Sequence, residues 1–148
     1  MTRIFIDGDA CPVKEEVLKV ATRHELPVTI VANSWHRIDH YLVEQVVVAE
    51  GADAADDVIA ERCQGGDVVV TADIPLAARC LEKGGLVIDS RGRAFDPANI
   101  GMQLAMRDLM RDLREQGAVT GGPAGFNKQD RSRFLDGLER LVQAARRR

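Results

Sequence analysis

Three consecutive valines bounded by acids, in the run DVVVTAD at residues 67–73, constrain this chain more than any other stretch. A strand with one face in water alternates apolar and polar residues; a strand without that alternation is buried on both faces. Such strands occur almost only in parallel sheets with helices covering each side. Runs of the same kind recur along the chain. Ile4-Phe5-Ile6 reads as a first strand, Val28-Thr29-Ile30-Val31 as a second entered through Pro27, and Val46-Val47-Val48 as a short third. The valine run at 67–73 is then the fourth, and GGLVID at 84–89 the fifth.

Helical patterns fill the intervals. Pro12 suits a first helical turn, where its missing N–H has no intrahelical partner anyway. Val13, Val17, Leu18 and Ala21 keep helical spacing to about Glu25. Residues 52–63 read as a helix stopped by Gly65-Gly66, and a further helix runs from Pro75 to about Glu82. From Asn99 the pattern changes to two helices, 99–116 and 130–146, joined by a Gly-rich connection. The expected class is α/β: a three-layer α/β/α sandwich on a mostly parallel sheet of 4–5 strands, with added C-terminal helices. At 148 residues the chain is most simply one domain, 1–148.

Several function classes fall away. No apolar stretch approaches the ~18–20 residues that span a bilayer, so no membrane partner is expected. The first strand starts almost at once, leaving no room for a signal peptide. Cys11, Cys63 and Cys80 are odd in number and lack a CxxC pair, which fits a cytoplasmic location and argues against structural zinc. Neither GxGxxG nor a P-loop is present. His36 and His40 would be i, i+4 on a helix, but a third zinc ligand at suitable spacing is missing. Cys11 near a helix N-terminus could act as a low-pKa nucleophile, though spacing offers it no His or resolving Cys.

The net charge of −3 conceals a division. Residues 1–90 hold 8 Lys+Arg against 16 Asp+Glu, and residues 91–148 hold 12 against 7. The acids gather where strands end, which is where parallel sheets bind ligands. Asp7 ends the first strand with Asp9 after it, Asp73 ends the valine strand, and Asp89 ends the fifth. Asp53, Asp56 and Asp57 occupy neighbouring positions of one helix face, a mutually repulsive arrangement. Taken singly, each acid has a plainer role. Asp73 would cap a helix, Asp53, Asp56 and Asp57 would favour a helix dipole, Asp9 would cap the helix near Pro12, and Asp89 would start a turn. Taken together, they describe a site for a hard cation, Mg²⁺ or Mn²⁺, which prefers oxygen ligands.

FIDGDACP (5–12), DAADDVIAE (53–61) and DVVVTADIPLAARC (67–80), with GGPAGF and DRSRFLDGL near the end, resemble the YaiI/YqxD family of bacterial proteins. That family is similar to the PIN-like nuclease domains. The resemblance implies a metal-dependent ribonuclease, with RNA as partner and an acidic cluster at the carboxyl edge of the sheet. Residue by residue, it implies catalytic roles for Asp7, Asp56 and Asp73, with Asp57 beside Asp56. Asp9 departs from the PIN-like pattern, which has a single acid there, so its role stays open between ligand, supporting group and cap. The residues expected to hold the metal are Asp7, Asp9, Asp56, Asp57, Asp73 and Asp89.

The basic half offers phosphate contacts. On the helix near 100–116, Leu104, Leu109 and Leu113 are placed for the core, and Arg107, Arg111 and Arg114 form one stripe. The same arginines could form a solvated face paired with Asp108, Asp112 and Glu115. Arg91 and Lys128 complete the expected nucleic-acid set. The loop TGGPAGFNK at 120–128 could contact phosphate and stack a base through its Phe, or could simply connect. Two other functions compete. Asp7 and Asp9 also fit the D-x-D of haloacid-dehalogenase-like phosphatases, with Asp7 as nucleophile, although Ala-Cys-Pro follows where Thr or Val is expected. A non-catalytic RNA- or protein-binding module on the same fold is the other.

Overall fold

The computed structural model describes residues 2–49, 53–117 and 126–147. Its sheet contains β1 (Ile4–Asp7), β2 (Val28–Ala32), β3 (Val43–Val47), β4 (Val68–Val70) and β5 (Leu86–Ile88), ordered β3-β2-β1-β4-β5. Every neighbouring pair is parallel. The helices are α1 (Lys14–His24), α2 (Ala54–Arg62), α3 (Ile74–Glu82), α4 (Ile100–Glu115) and α5 (Lys128–Arg146). The expected parallel α/β sandwich is met, with five strands.

Successive strand residues point to opposite faces, and both faces are covered. Ile4, Ile6, Val28, Ile30, Val68, Val70 and Ile88 pack with Val17 and Val20 of α1 and with Phe134, Leu138 and Val142 of α5. Phe5, Val31, Val69 and Val87 point the other way, onto Ala55 and Ile59 of α2 and Leu76 and Ala77 of α3. Double burial is why these strands lack a polar alternation. The edge strand β3 differs: Glu44 and Val47 are exposed. Its pairing with β2 begins at Val43, ahead of the apolar run at 46–48, because an edge strand tolerates Glu44 facing water while Gln45 is satisfied by the His36 backbone, accepting from its N–H and donating to its carbonyl.

Other boundaries shift for physical reasons. Pro12 lies before α1, after a 3-10 turn over Gly8–Ala10, and Val13 stands at the helix N-cap. The helix α4 does not carry its leucines into the core. It has no buried residue, Leu109 is 50% exposed, and Met102 and Met106 are 73% and 51% exposed. It lies against α3, whereas α5 lies against α1 and the sheet. The two C-terminal helices therefore belong to opposite layers.

Two glycine positions fix where the chain turns. A Cβ at Gly8 would sit 2.7 Å from Ile30 Cγ2 and 3.2 Å from Ala32 Cβ, so the turn after β1 passes directly over β2. Gly92 has φ +88°, a conformation costly to side-chain-bearing residues, and a Cβ there would overlap the Arg133 carbonyl. A Cβ at Gly137 would lie 2.9 Å from both the Gly92 carbonyl oxygen and Ile88 Cδ1. Helix α5 thus crosses the turn after β5 backbone against backbone.

Candidate active site at the switch point

From β1 the chain builds outward through β2 to β3, then returns to place β4 on the other side of β1. Strand order reverses between β1 and β4, and at such a point the connections diverge and leave a crevice beyond the strand ends. Asp7 is the last residue of β1. It shares the facing of Phe5, toward α2 and α3, as the strand period of two requires.

Thr71, just past β4, organises the crevice. Its hydroxyl donates to Asp7 Oδ2 at 3.0 Å and accepts from the Asp73 N–H at 3.0 Å. Asp73 caps α3, its Oδ1 accepting from Leu76 N–H at 2.9 Å. Asp7, Cys11, Thr71, Asp73 and Ser90 line a small cleft of about 60 Å³ there. Asp56, in the first turn of α2, faces the same place. Burial, then repulsion from Asp73 and Asp7, pushes its carboxyl up to about 7; in the protonated form it also donates a hydrogen bond to Asp73. Burial raises Asp7 as well, against the lowering effect of the Thr71 hydroxyl, with further repulsion from Asp73 and Asp9. The three carboxyls feel one another.

Of the remaining acids, Asp9, Asp57 and Asp89 are engaged elsewhere, and Asp53 adds to the repulsion at Asp56. Both oxygens of Asp9 accept from the Asn33 N–H, at 2.9 and 3.0 Å, so Asp9 ties the end of β1 to the end of β2 and does not cap α1. Asp57 is exposed and pairs with Arg79 at 2.9 Å. Asp53 stands at the N-cap of α2 without a side-chain cap bond. Asp89 begins a turn: its Oδ1 accepts from the N–H groups of Arg91 and Arg93, and its Oδ2 lies 3.4 Å from Arg93 Nε. Among the described residues, no group of three or more His, Cys, Asp or Glu is arranged to hold a metal ion by itself.

Cys11 is not an activated nucleophile, since burial pushes its thiol up rather than down. All three cysteines are free. His36 and His40 lie outside any helix, and His40 is held by Thr22 and by the Leu42 N–H.

Beside the cleft runs a second, larger hollow of about 590 Å³ between α4 and the segment after β5. Ala72 lines both. The expected Arg107, Arg111 and Arg114 line the hollow, and Arg93 joins them. Arg91 and Lys128 do not line it; Lys128 is the first residue of α5, in the opposite layer. Residues 118–125 of the Gly-rich loop lie outside the described residues. Its Phe126 is covered by the Arg131 guanidinium, 4.9 Å from the ring centre. Sequence reasoning missed Arg93, Phe95 and the organising role of Thr71. A Thr two residues before a capping Asp is a recognisable turn signal, and would have found the last of these.

A family model described as "Uncharacterized BCR, YaiI/YqxD family" matches residues 5–144. A UPF0178 protein of Parvibaculum lavamentivorans is 60% identical over 149 residues, covering all of this chain and 98% of its own. UPF0178 proteins of Rhodospirillum rubrum and Ruegeria pomeroyi are 56% and 55% identical, covering 97% and 99% of this chain and 97% of their own in each case. No solved structure matches the chain significantly.

Proposed function

The chain belongs to the YaiI/YqxD family, and we propose that it is a divalent-metal-dependent phosphodiesterase acting on RNA, as in PIN-like ribonucleases. One observation carries the reading. Asp7, Asp56 and Asp73 reach the switch point from three separate segments and repel one another there. A fold that tolerates this repulsion gains most when a cation enters.

The donors suit a hard ion. They are carboxylate oxygens, and Asp7 and Asp73 each keep one oxygen outside the contacts that position them. Two carboxylates, with water and a phosphate oxygen completing the shell, are what Mg²⁺ or Mn²⁺ ordinarily takes. When bound, such an ion lowers the pKa of water and offsets charge on a phosphodiester. Thr71 orients Asp7 and Asp73, and Asp56 adds a third carboxyl beside them from α2.

Calorimetric titration of Mn²⁺ into wild type and Asp7→Asn, followed by single-stranded RNA at matched metal, tests the proposal. Wild type should bind and cleave, and the variant should lose both. Absence of Mn²⁺ binding by wild type overturns it. Release of phosphate from a small monoester, with Asp7 phosphorylated, would transfer the assignment to the phosphatase class.

A further inference from the structure

The larger hollow is more than a neighbour of the acids. Its α4 wall carries Arg107, Arg111 and Arg114, and the opposite wall carries Arg93, which the lining carboxylate Asp89 meets at 3.4 Å. The solvated-face alternative calls for these arginines to be neutralised along their own helix. Asp108 meets Arg107 at 3.2 Å and Arg111 at 3.8 Å. Asp112 and Glu115 make no ion pair with them among the described residues, and neither does Arg114 find an acidic partner there. The wall keeps an unbalanced positive charge.

Between the arginines the surface is apolar. Phe95, Met106 and Met110 line the hollow, with Met106 half exposed. Charge without apolar area would fit any polyanion. An aromatic ring and two thioether chains among guanidinium groups fit a ligand that alternates phosphates with flat apolar faces. In duplex nucleic acid the base faces are stacked on each other and closed to side chains; in a single strand they are open.

From this juxtaposition we infer that the hollow between α4 and the 93–95 segment binds single-stranded RNA, its phosphates on Arg93, Arg107, Arg111 and Arg114 and a base on Phe95, Met106 and Met110. The inference rests on the phosphodiesterase reading for its choice of RNA, and deepens it. Because Ala72 lines both the hollow and the acidic cleft, a strand seated in the first delivers its backbone to Asp7 and Asp73.

Fluorescence anisotropy of a labelled short oligoribonucleotide, in EDTA so that no cleavage occurs, tests it across a salt series. Wild type should bind single strand in preference to duplex. The triple variant Arg107→Ala, Arg111→Ala, Arg114→Ala should weaken binding by roughly tenfold or more and flatten the slope of log K against log salt by about 2. Met106→Ser, a change at a half-exposed position, should weaken binding several-fold with the slope unchanged. Equal binding by the triple variant, or preference for duplex or for an acidic peptide over single-stranded RNA, overturns the inference. Its failure is separable from that of the enzymatic reading. Wild type that binds in EDTA but does not cleave with Mn²⁺ removes the nuclease and keeps the groove. Cleavage retained undiminished by the triple variant removes the groove and keeps the nuclease.

Discussion

Helices α4 and α5 are both long, charged and amphipathic, yet the fold treats them oppositely. Helix α5 buries Phe134, Leu138, Val142 and Ala145 against α1 and the sheet, and closes its N-terminus with a capping box between Asn127 and Asp130. Arg131 adds a 3.0 Å ion pair to the buried Glu16 of α1. Helix α4 has no fully buried residue, lacks a side-chain cap at Asn99, and leaves Met102, Met106 and Leu109 in water. Apolar periodicity says that a helix has a face. It does not say that the protein covers that face. The covered helix holds the fold together, and the uncovered one is free to serve as the wall of a binding surface.

The contrast can be broken, and the largest effect should come from the buried helix. Phe134→Ala is expected to cost about 3–5 kcal/mol, read as a lowered urea midpoint, because truncation removes a core ring and leaves a cavity. Gly92→Ala should follow, at roughly 1–3 kcal/mol for the left-handed backbone alone, before the overlap with the Arg133 carbonyl adds to it. A smaller change of opposite sign is expected at the acidic site. The Asp56 carboxyl is raised in the folded state, to about 7, so the folded protein holds more protons than the unfolded chain between the ordinary Asp range and that value. Stability should fall as pH rises through this window. Asp56→Asn should then stabilise by about 1 kcal/mol at pH 8 once solvent screening is allowed for, with the gain vanishing near pH 4; thermal melts at the two pH values measure it. Smallest of all, Leu109→Ser on α4 should change stability by no more than about 0.5 kcal/mol. A loss at Leu109 comparable to that at Phe134 would erase the distinction between the helices.

The layered fold could be read because its signal is local. The doubly buried valines of β4, the helix start at Asp73 and the spacing of α1 each follow from a few adjacent residues. What required three dimensions was selection among equivalents. Nine arginines after residue 100 look alike in one dimension, and only the opposite-layer placement of α4 and α5 separates the groove set from the rest. Arg93 joins that set because the turn led by Asp89 brings the segment after β5 to face α4. Asp57 and Asp89 matched the acidic pattern as well as Asp56 did, but their partners, Arg79 and the 89–93 turn, are set by tertiary approach and local backbone that composition does not encode. Leu109 was misplaced because periodicity carries direction and not coverage.

The crossing of Gly92 and Gly137 ties these two outcomes together. Side chains at an interface can change rotamer and absorb a displacement; two backbones in contact cannot. The segment bearing Arg93 and Phe95 leaves from that crossing, so it is anchored on α5 from across the sheet. Substitutions far inside the α1 and α5 layer that shift α5 would therefore be transmitted as a change in the width of a groove they never touch.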